Sequence, residues 1–331
     1  MIAILFPVFN TAAYLPACLD SVLAQVEEDW ELVAVDDFST DDSPYILKEY
    51  ARQDRRIRIV QNDKKGIAPA LQMAFRQSTG SFITRMDSDD RMLPQKLACL
   101  KKILLENGTG HIATGLVKYF SDDGVGEGYR RYATWLNGLA LQGCSFHEIY
   151  RECTIPSPCW MAWRTDLERC GAFMEEVYPE DYDLAFRFRQ AGFKVASCPE
   201  VLHEWRDSPG RTSRTNELYL DNSYLDLKTD WFFRTDYVPT RPLVLWGAGH
   251  KGKRLSGLFT ARGVSFRWVC DNAGKWGHRI SGVKMESYEI LADLPDAQIV
   301  IAVAAPDGQR QIMNFLESNK FERGKHYFWF C

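Results

Sequence analysis

Apolar and polar positions at the start of the chain switch between strand and helix periods, a pattern that predicts a parallel sheet with helical crossovers. Ile2 to Phe6 is an unbroken apolar run, suited to a strand buried on both faces. Tyr14 to Gln25 carries Leu15, Leu19, Val22 and Leu23 at helical spacing, and Trp30 to Val35 returns to strand. A helix around Ser43 to Arg52, a short strand at Ile57 to Val60, a helix around Pro69 to Gln77 and a strand at Phe82 to Met86 continue the series. Acidic residues close two of these strands: Asp36 and Asp37 after the second, Asp87-Ser88-Asp89-Asp90 after the fourth. Open parallel sheets bind ligands at the carboxyl ends of their strands, so the two acidic groups are expected to face one crevice.

The regularity is lost from Ser121 to Cys159, a tract rich in aromatics with an acidic, glycine-rich turn, which reads as the substrate-facing part. Pro179-Glu180-Asp181 then precedes a helix over Tyr182 to Gln190, closed by Gly192. A basic and aromatic helical stretch, Glu217 to Phe233, leads to Pro239 and Pro242. Beyond them the alternation restarts with a strand at Leu243 to Trp246, a helix to about Arg262 and a strand at Phe266 to Cys270. A last strand and helix run over Gln298 to Val303 and Gly308 to Asn319. The expected organisation is one domain over residues 1–236 and a small α/β domain over 237–331.

Composition narrows the class. A length of 331 residues exceeds what one core usually serves, and 46% hydrophobic with 25% charged residues is ordinary for a globular chain, which excludes disorder, collagen and coiled coil. A net charge of -4 supplies no global field for nucleic acid, so a nucleic-acid partner is not expected. The nine cysteines form no C-x-x-C pair and read as reduced thiols of a cytoplasmic protein. Met1 to Asn10 lacks the basic start of a signal peptide, and no apolar run reaches the ~20 residues of a membrane helix. Peripheral attachment at the inner face of a membrane stays open.

Asp87, Asp89 and Asp90 repel one another unless a cation or hydrogen-bond donors compensate. Carboxylates without a Cys or His beside them suit Mg2+ or Mn2+ rather than zinc. The plain alternative is a solvated acidic turn capping a helix that starts near Pro94.

Taken together, Phe6-Pro7-Val8-Phe9-Asn10, Val35-Asp36-Asp37-Phe38-Ser39-Thr40-Asp41, Asp87-Ser88-Asp89-Asp90 with Pro94, and Pro179-Glu180-Asp181-Tyr182-Asp183-Leu184 resemble the family 2 glycosyltransferases of GT-A fold, over about residues 1 to 235. The resemblance implies an α/β fold with a mixed sheet flanked by helices. It implies an inverting, hexosyltransferase-type enzyme that moves a sugar from a nucleotide-diphosphate donor, most commonly a UDP-sugar, to an acceptor hydroxyl. A saccharide or lipid-linked saccharide acceptor in cell-surface polysaccharide synthesis fits that class. Residue by residue, Pro7, Phe9 and Asn10 match the nucleobase pocket, and Asp37 or its neighbour Asp36 matches the aspartate that bonds the base. Asp87 and Ser88 match donor-binding positions and Asp89 the ligand of a Mn2+ or Mg2+ cofactor; Asp181 matches the general base. His203 is a candidate second metal ligand, with packing beside Trp205 as its plain reading, and Arg211 and Arg214 resemble the late loop that contacts the diphosphate.

The chain departs from the family's pattern in two places. Phe38 replaces the usual glycine, so its turn is expected not to need a glycine conformation. After Gly66 the customary basic residue and Asn are missing, leaving Lys64 or Lys65 as substitutes.

The smaller domain carries Gly247-Ala248-Gly249-His250-Lys251-Gly252 after a strand and Asp271 at the end of the next, a Rossmann-like signal. The segment looks like small Rossmann-like domains appended to other transferases. It serves as a structural or self-association module, or as a ligand site. The competing functions are an NAD(P)-dependent oxidoreductase centred on these glycines and a non-catalytic nucleotide-sugar binding protein.

Overall fold

The computed structural model describes residues 1–122, 124–174, 177–208 and 224–331. The described residues separate into two compact units, one built from Met1–Phe146 and residues 153–208, the other from His147–Glu152 and residues 224–331. The sequence pattern set the joint at 236/237; in the structure the helix that precedes it already packs with the second unit.

In the first unit β1 (Ile2–Val8), α1 (Leu15–Leu23), β2 (Trp30–Asp36), α2 (Ser43–Gln53), β3 (Ile57–Gln61), α3 (Ile67–Gln77) and β4 (Phe82–Arg85) follow the predicted alternation. The four strands pair in parallel in the order β3-β2-β1-β4. Every residue of β1 and β2 is buried, and β1 accordingly reads as a continuous apolar run; β2 buries Glu31, which accepts the Thr79 hydroxyl at 3.0 Å and the Gly80 amide at 2.9 Å. Prolines sit in the first turns of α1 and α2, where a missing N–H costs nothing.

The remainder of the sheet is mixed. It comprises β5 (Arg91–Met92), α4 (Lys96–Asn107), β6 (His111–Phe120), α5 (Glu127–Leu141), β7 (Trp160–Trp163), α6 (Arg164–Arg169), α7 (Glu180–Gln190) and β8 (Lys194–Arg206). β7 runs antiparallel to both β4 and β6, β8 runs parallel to β6, and the short β5 closes the edge against β8. The tract read as irregular therefore contains a helix, α5. It buries Ala133, Leu136, Leu139 and Ala140 on one face, while Gly128, Gly138 and the polar residues between them blur that stripe in the sequence.

The second unit holds α8 (Leu225–Thr235), β9 (Leu243–Trp246), α9 (His250–Ala261), β10 (Arg267–Cys270), β11 (Arg279–Ile280), β12 (Val283–Ser287), β13 (Gln298–Ile301), α10 (Pro306–Ser318) and β14 (Tyr327–Trp329). Its parallel strands lie in the order β12-β10-β9-β13-β14, with the first strand central, and β11 adds an antiparallel edge. That order is the doubly wound α/β arrangement. The part of the predicted Glu217 to Phe233 stretch before α8 lies outside the described residues.

Candidate active site

β1, β2 and β4 end side by side, with Val8 opposite Asp36 and Leu5 opposite Arg85, so the residues that follow each strand share one edge of the sheet. At one corner Asp36 and Asp37 are both buried. Asp36 accepts the Ser39 amide at 3.3 Å. Asp37 accepts the Asn62 side chain at 2.7 Å and the Gly66 amide at 2.9 Å, which fixes the loop that opens α3. Phe9 is exposed here, with Lys65 Nζ 4.9 Å from its ring centre, and Asn10 Oδ1 accepts the Thr40 amide at 2.8 Å. Pro7 lies behind them, buried within β1. Phe9, Asn10, Asp36 and Asp37 thus meet at one corner, and Lys65, one of the two lysines proposed as substitutes, belongs to it.

Phe38 has a φ of 60°, in the left-handed region that favours glycine but admits other residues, so the turn is not glycine-only and carries a large side chain there. The ring is half-exposed beside the corner. A non-glycine residue in this region stores on the order of 1 kcal/mol of strain.

The second corner centres on Arg85, the last residue of β4, which the sequence reading passed over. Its guanidinium is buried and donates to Asp87 Oδ1 at 2.8 Å and to Glu180 Oε1 at 2.7 Å. Burial works against the charged guanidinium, but Asp87, Glu180 and Asp181 together hold it firmly protonated. The acidic group after β4 and the acidic first turn of α7 are therefore joined through one cation. Beside Glu180, burial and the Glu180 charge push the Asp181 carboxyl up to about 7; Arg85 opposes the rise and Asp87 adds to it. Asp181 Oδ1 also accepts the Tyr182 amide at 2.8 Å. Asp183 serves a different purpose: it pairs with Arg187 at 2.7 Å, and Arg187 donates to the Cys170 and Ala172 carbonyls, bracing the turn around Gly171-Ala172-Phe173. Arg164 bonds the Gly80 carbonyl and Ser78 hydroxyl, each at 2.7 Å, and so holds the start of β4.

The third corner lies under Asp89 and Asp90. Asp90 is buried and accepts from the Arg206 amide at 2.7 Å and from His203 Nε2 at 3.0 Å. His203 Nδ1 faces the buried ammonium of Lys96 at 3.2 Å, and Lys96 donates to the Pro158 carbonyl. Both ring nitrogens of His203 are occupied in a buried polar chain, so the ring orients Asp90 and does not reach out as a metal ligand beside Asp89. Arg206 donates to the Asp89 carbonyl at 2.8 Å, with its guanidinium stacked between Tyr14 and Phe120 at 4.5 and 4.4 Å. Ser88 is buried and accepts the Thr11 hydroxyl at 3.0 Å, tying the acidic turn to the loop after β1.

The sequence model described as "Glycosyl transferase family 2" matches residues 3–171, half of the chain and the part that carries β1 through α6. The chain belongs to that family. Glycosyltransferase GlyG of Streptococcus pneumoniae is 32% identical over 125 residues, 38% of this chain and 42% of that protein. The Escherichia coli UDP-Glc:alpha-D-GlcNAc-diphosphoundecaprenol beta-1,3-glucosyltransferase WfgD is 25% identical over 240 residues, 72% of this chain and 87% of that one. The chain thus spans under half of some of its relatives and most of others. The S. aureus TarS 1-349 structure with UDP-GlcNAc superposes with a TM-score of 0.56 at 17% identity, covering 72% of this chain and 68% of that one. Mannosyltransferase PcManGT from Pyrobaculum calidifontis, in complex with GDP-Man and Mn2+, gives 0.52 at 18% identity, covering 80% of each chain. At these identities the superpositions establish the GT-A fold.

For a family 2 glycosyltransferase, the acidic turn offers the donor set of a hard cation. Asp87 and Asp89 are partly exposed carboxylates at the strand end; the one thiol beside them, Cys18, is buried, donates to the Asp87 carbonyl at 3.5 Å and is held protonated by burial and by the neighbouring aspartates. Among the described residues no three His, Cys, Asp or Glu ligand atoms converge there. That fits Mg2+ or Mn2+, which bind through one or two carboxylates and leave the rest of the shell to phosphate and water. Arg211 and Arg214 lie outside the described residues. Arg85, Lys96 and Asn62 were missed; the signal for the first was a lone charged residue inside the predicted Phe82 to Met86 strand.

Proposed function

We propose that the protein is an inverting, metal-dependent glycosyltransferase that moves a sugar from a nucleotide diphosphate, UDP being the commonest in the family, to an acceptor hydroxyl. The acceptor class we assign is a saccharide or lipid-linked saccharide of cell-surface polysaccharide, in keeping with the printed activity of the WfgD relative. No helix among the described residues is long and apolar enough to cross a membrane. A cytoplasmic protein working at a membrane face is part of this proposal.

The observation that carries the reading is Arg85, which locks the donor-side Asp87 to Glu180, the neighbour of Asp181. Phe9, Asn10, Asp36 and Asp37 form the corner for the nucleobase and ribose. Asp89, with Asp87, would hold the cation, which when bound supplies positive charge to the departing diphosphate. Asp181 takes the proton of the acceptor hydroxyl as that oxygen attacks the anomeric carbon from the face opposite the diphosphate. One base is sufficient for inversion. With its carboxyl pushed up to about 7, Asp181 is basic enough to accept the proton and is ionised in mildly alkaline solution.

The deciding experiment is Asp181→Asn. Transfer should fall by roughly 10³-fold, the scale of a lost general base, while nucleotide binding with Mn2+ survives. Unchanged turnover removes Asp181 from the mechanism; loss of nucleotide binding as well makes it a structural residue.

A further inference from the structure

Away from the acidic crevice, α4 and the middle of β8 bring together Cys99, Cys198 and Glu200. The two sulfurs and a carboxylate oxygen all lie within 4.8 Å of one another, the only such group among the described residues. All three side chains lie outside the span of any role given above, and neither cysteine is in a disulfide. We propose that they form a binding site for one thiophilic divalent cation of the zinc type, tying α4 to β8.

The backbone shows why the three meet. β8 runs parallel to β6, with Gly115 opposite Cys198 but Leu116 opposite Val201, so Pro199 and Glu200 are two extra residues in β8. Such a bulge re-aims side chains, and Pro199 has no N–H to lose from the ladder. Burial falls across the group: Cys198 is buried, Cys99 half-buried and Glu200 exposed. The site therefore has a protein-lined floor and one side open to water, which gives a cation an entry path and a solvent molecule as fourth ligand.

The ligand set decides the class of cation. Two thiolates and one carboxylate favour zinc or cadmium over Mg2+ and Mn2+, whereas the crevice carboxylates favour the reverse. On binding, each thiol releases its proton to solvent and each sulfur forms one bond to the cation, with no change of oxidation state. The consequence reaches the crevice through the same two elements: α4 begins at Lys96 and β8 carries His203, the pair behind Asp90. The proposal does not depend on the glycosyltransferase reading, since it concerns other residues and another class of metal.

The test uses the full chain, reduced with a phosphine, stripped with a chelator and titrated with Cd2+ alone. Cadmium–thiolate bonds absorb in the ultraviolet and cadmium–carboxylate bonds do not, so occupancy of the acidic crevice cannot mimic the signal. One equivalent should saturate the band and raise the unfolding temperature. Cys99→Ser and Cys198→Ser should each remove most of the band and the thermal shift. Glu200→Gln, an exposed change that leaves folding intact, should keep the band and weaken binding by about 10-fold. A band in Cys198→Ser equal to that of the unaltered chain overturns the proposal. So does a reduced chain that takes up no Cd2+ but forms a Cys99–Cys198 disulfide on oxidation.

Discussion

Each sheet ends in a turn that sequence motifs single out, and the two turns are built on opposite principles. At the end of the first sheet, charge is buried: Arg85, Glu180 and Asp90 are enclosed, the partly exposed Asp87 joins them in contacts of 2.7 to 3.0 Å, and Asp181 is displaced from its ordinary acidity. At the end of β9 the space around Gly247 and Gly252 is filled by backbone. A Cβ on Gly252 would stand 2.0 Å from the Gly247 carbonyl oxygen, and one on Gly247, whose φ is 127°, would meet the Ala302 carbonyl at 2.9 Å. Trp268 Nε1 already bonds the Gly247 carbonyl at 2.8 Å. Buried, paired charge is costly to keep and is accounted for by chemistry. Tight glycine packing is accounted for by the joining of strand to helix, with no ligand required.

The contrast breaks most severely at Arg85. In Arg85→Met the carboxylates of Asp87 and Glu180 lose their buried cation, which should cost about 3–5 kcal/mol of stability and most of the transfer activity. Chemical denaturation and turnover measured on the same preparation check this. A variant as stable as the original would mean that Asp87 and Glu180 find other partners, and the first turn would then be no different in kind from the second.

A smaller effect follows from pH. Because Asp181 must be ionised to act as base, kcat/KM should rise about tenfold per pH unit below about 7 and level off above it. The groups that face Asp181 are Glu180, Asp87 and Arg85, and among these charges only Arg85 favours ionisation, so Arg85→Lys should keep the midpoint nearer its original value than Arg85→Met. The stability sign is fixed as well. A carboxyl raised in the folded state from 3.8 binds more protons there than when unfolded, so stability falls as pH climbs from about 4 to 7. Asp181→Asn should therefore gain stability above pH 7, by roughly 1–3 kcal/mol, while losing turnover.

How much of this was legible differs along the chain for physical reasons. The parallel β3-β2-β1-β4 half was readable because its central strand β1 is a continuous apolar run, its neighbours are short hydrophobic-rich stretches set between helical periods, and the acidic residues after β2 and β4 pointed to the crevice. The mixed half was not: β6 and β8 are only partly buried, β8 contains a bulge, and α5 shares its apolar stripe with glycines. Within the site, acidic pairs announce themselves by mutual repulsion, but their compensation does not. Arg85 is a single residue whose partner Glu180 is separated from it by 95 positions, and the Lys96–His203 contact spans 107. His203 was legible as a polar residue near the acidic turn but not as one enclosed on both ring nitrogens. Phe38 marks the limit of reading by identity: a non-glycine residue excludes a glycine-only turn, but does not reveal that the backbone there is left-handed.

The smallest expected effects probe the second turn. Gly252→Ala places a methyl against the backbone carbonyl of Gly247, which cannot swing aside, so the second unit should lose roughly 1–3 kcal/mol or more while turnover per folded molecule is unchanged. Gly249 caps α9 with a φ of -82° and has open space around the position of a Cβ. Gly249→Ala should consequently shift the unfolding temperature very little, within about 0.5–1 kcal/mol of stability. It should also leave nucleotide and NAD binding by calorimetry as they were. A packing turn tolerates that methyl, whereas a turn whose amides cradle a phosphate does not, because the added carbon occupies the space the ligand needs. Loss of a binding isotherm in Gly249→Ala with stability retained would make the second turn a nucleotide site, and would show that glycine packing and ligand binding coincide there rather than exclude one another.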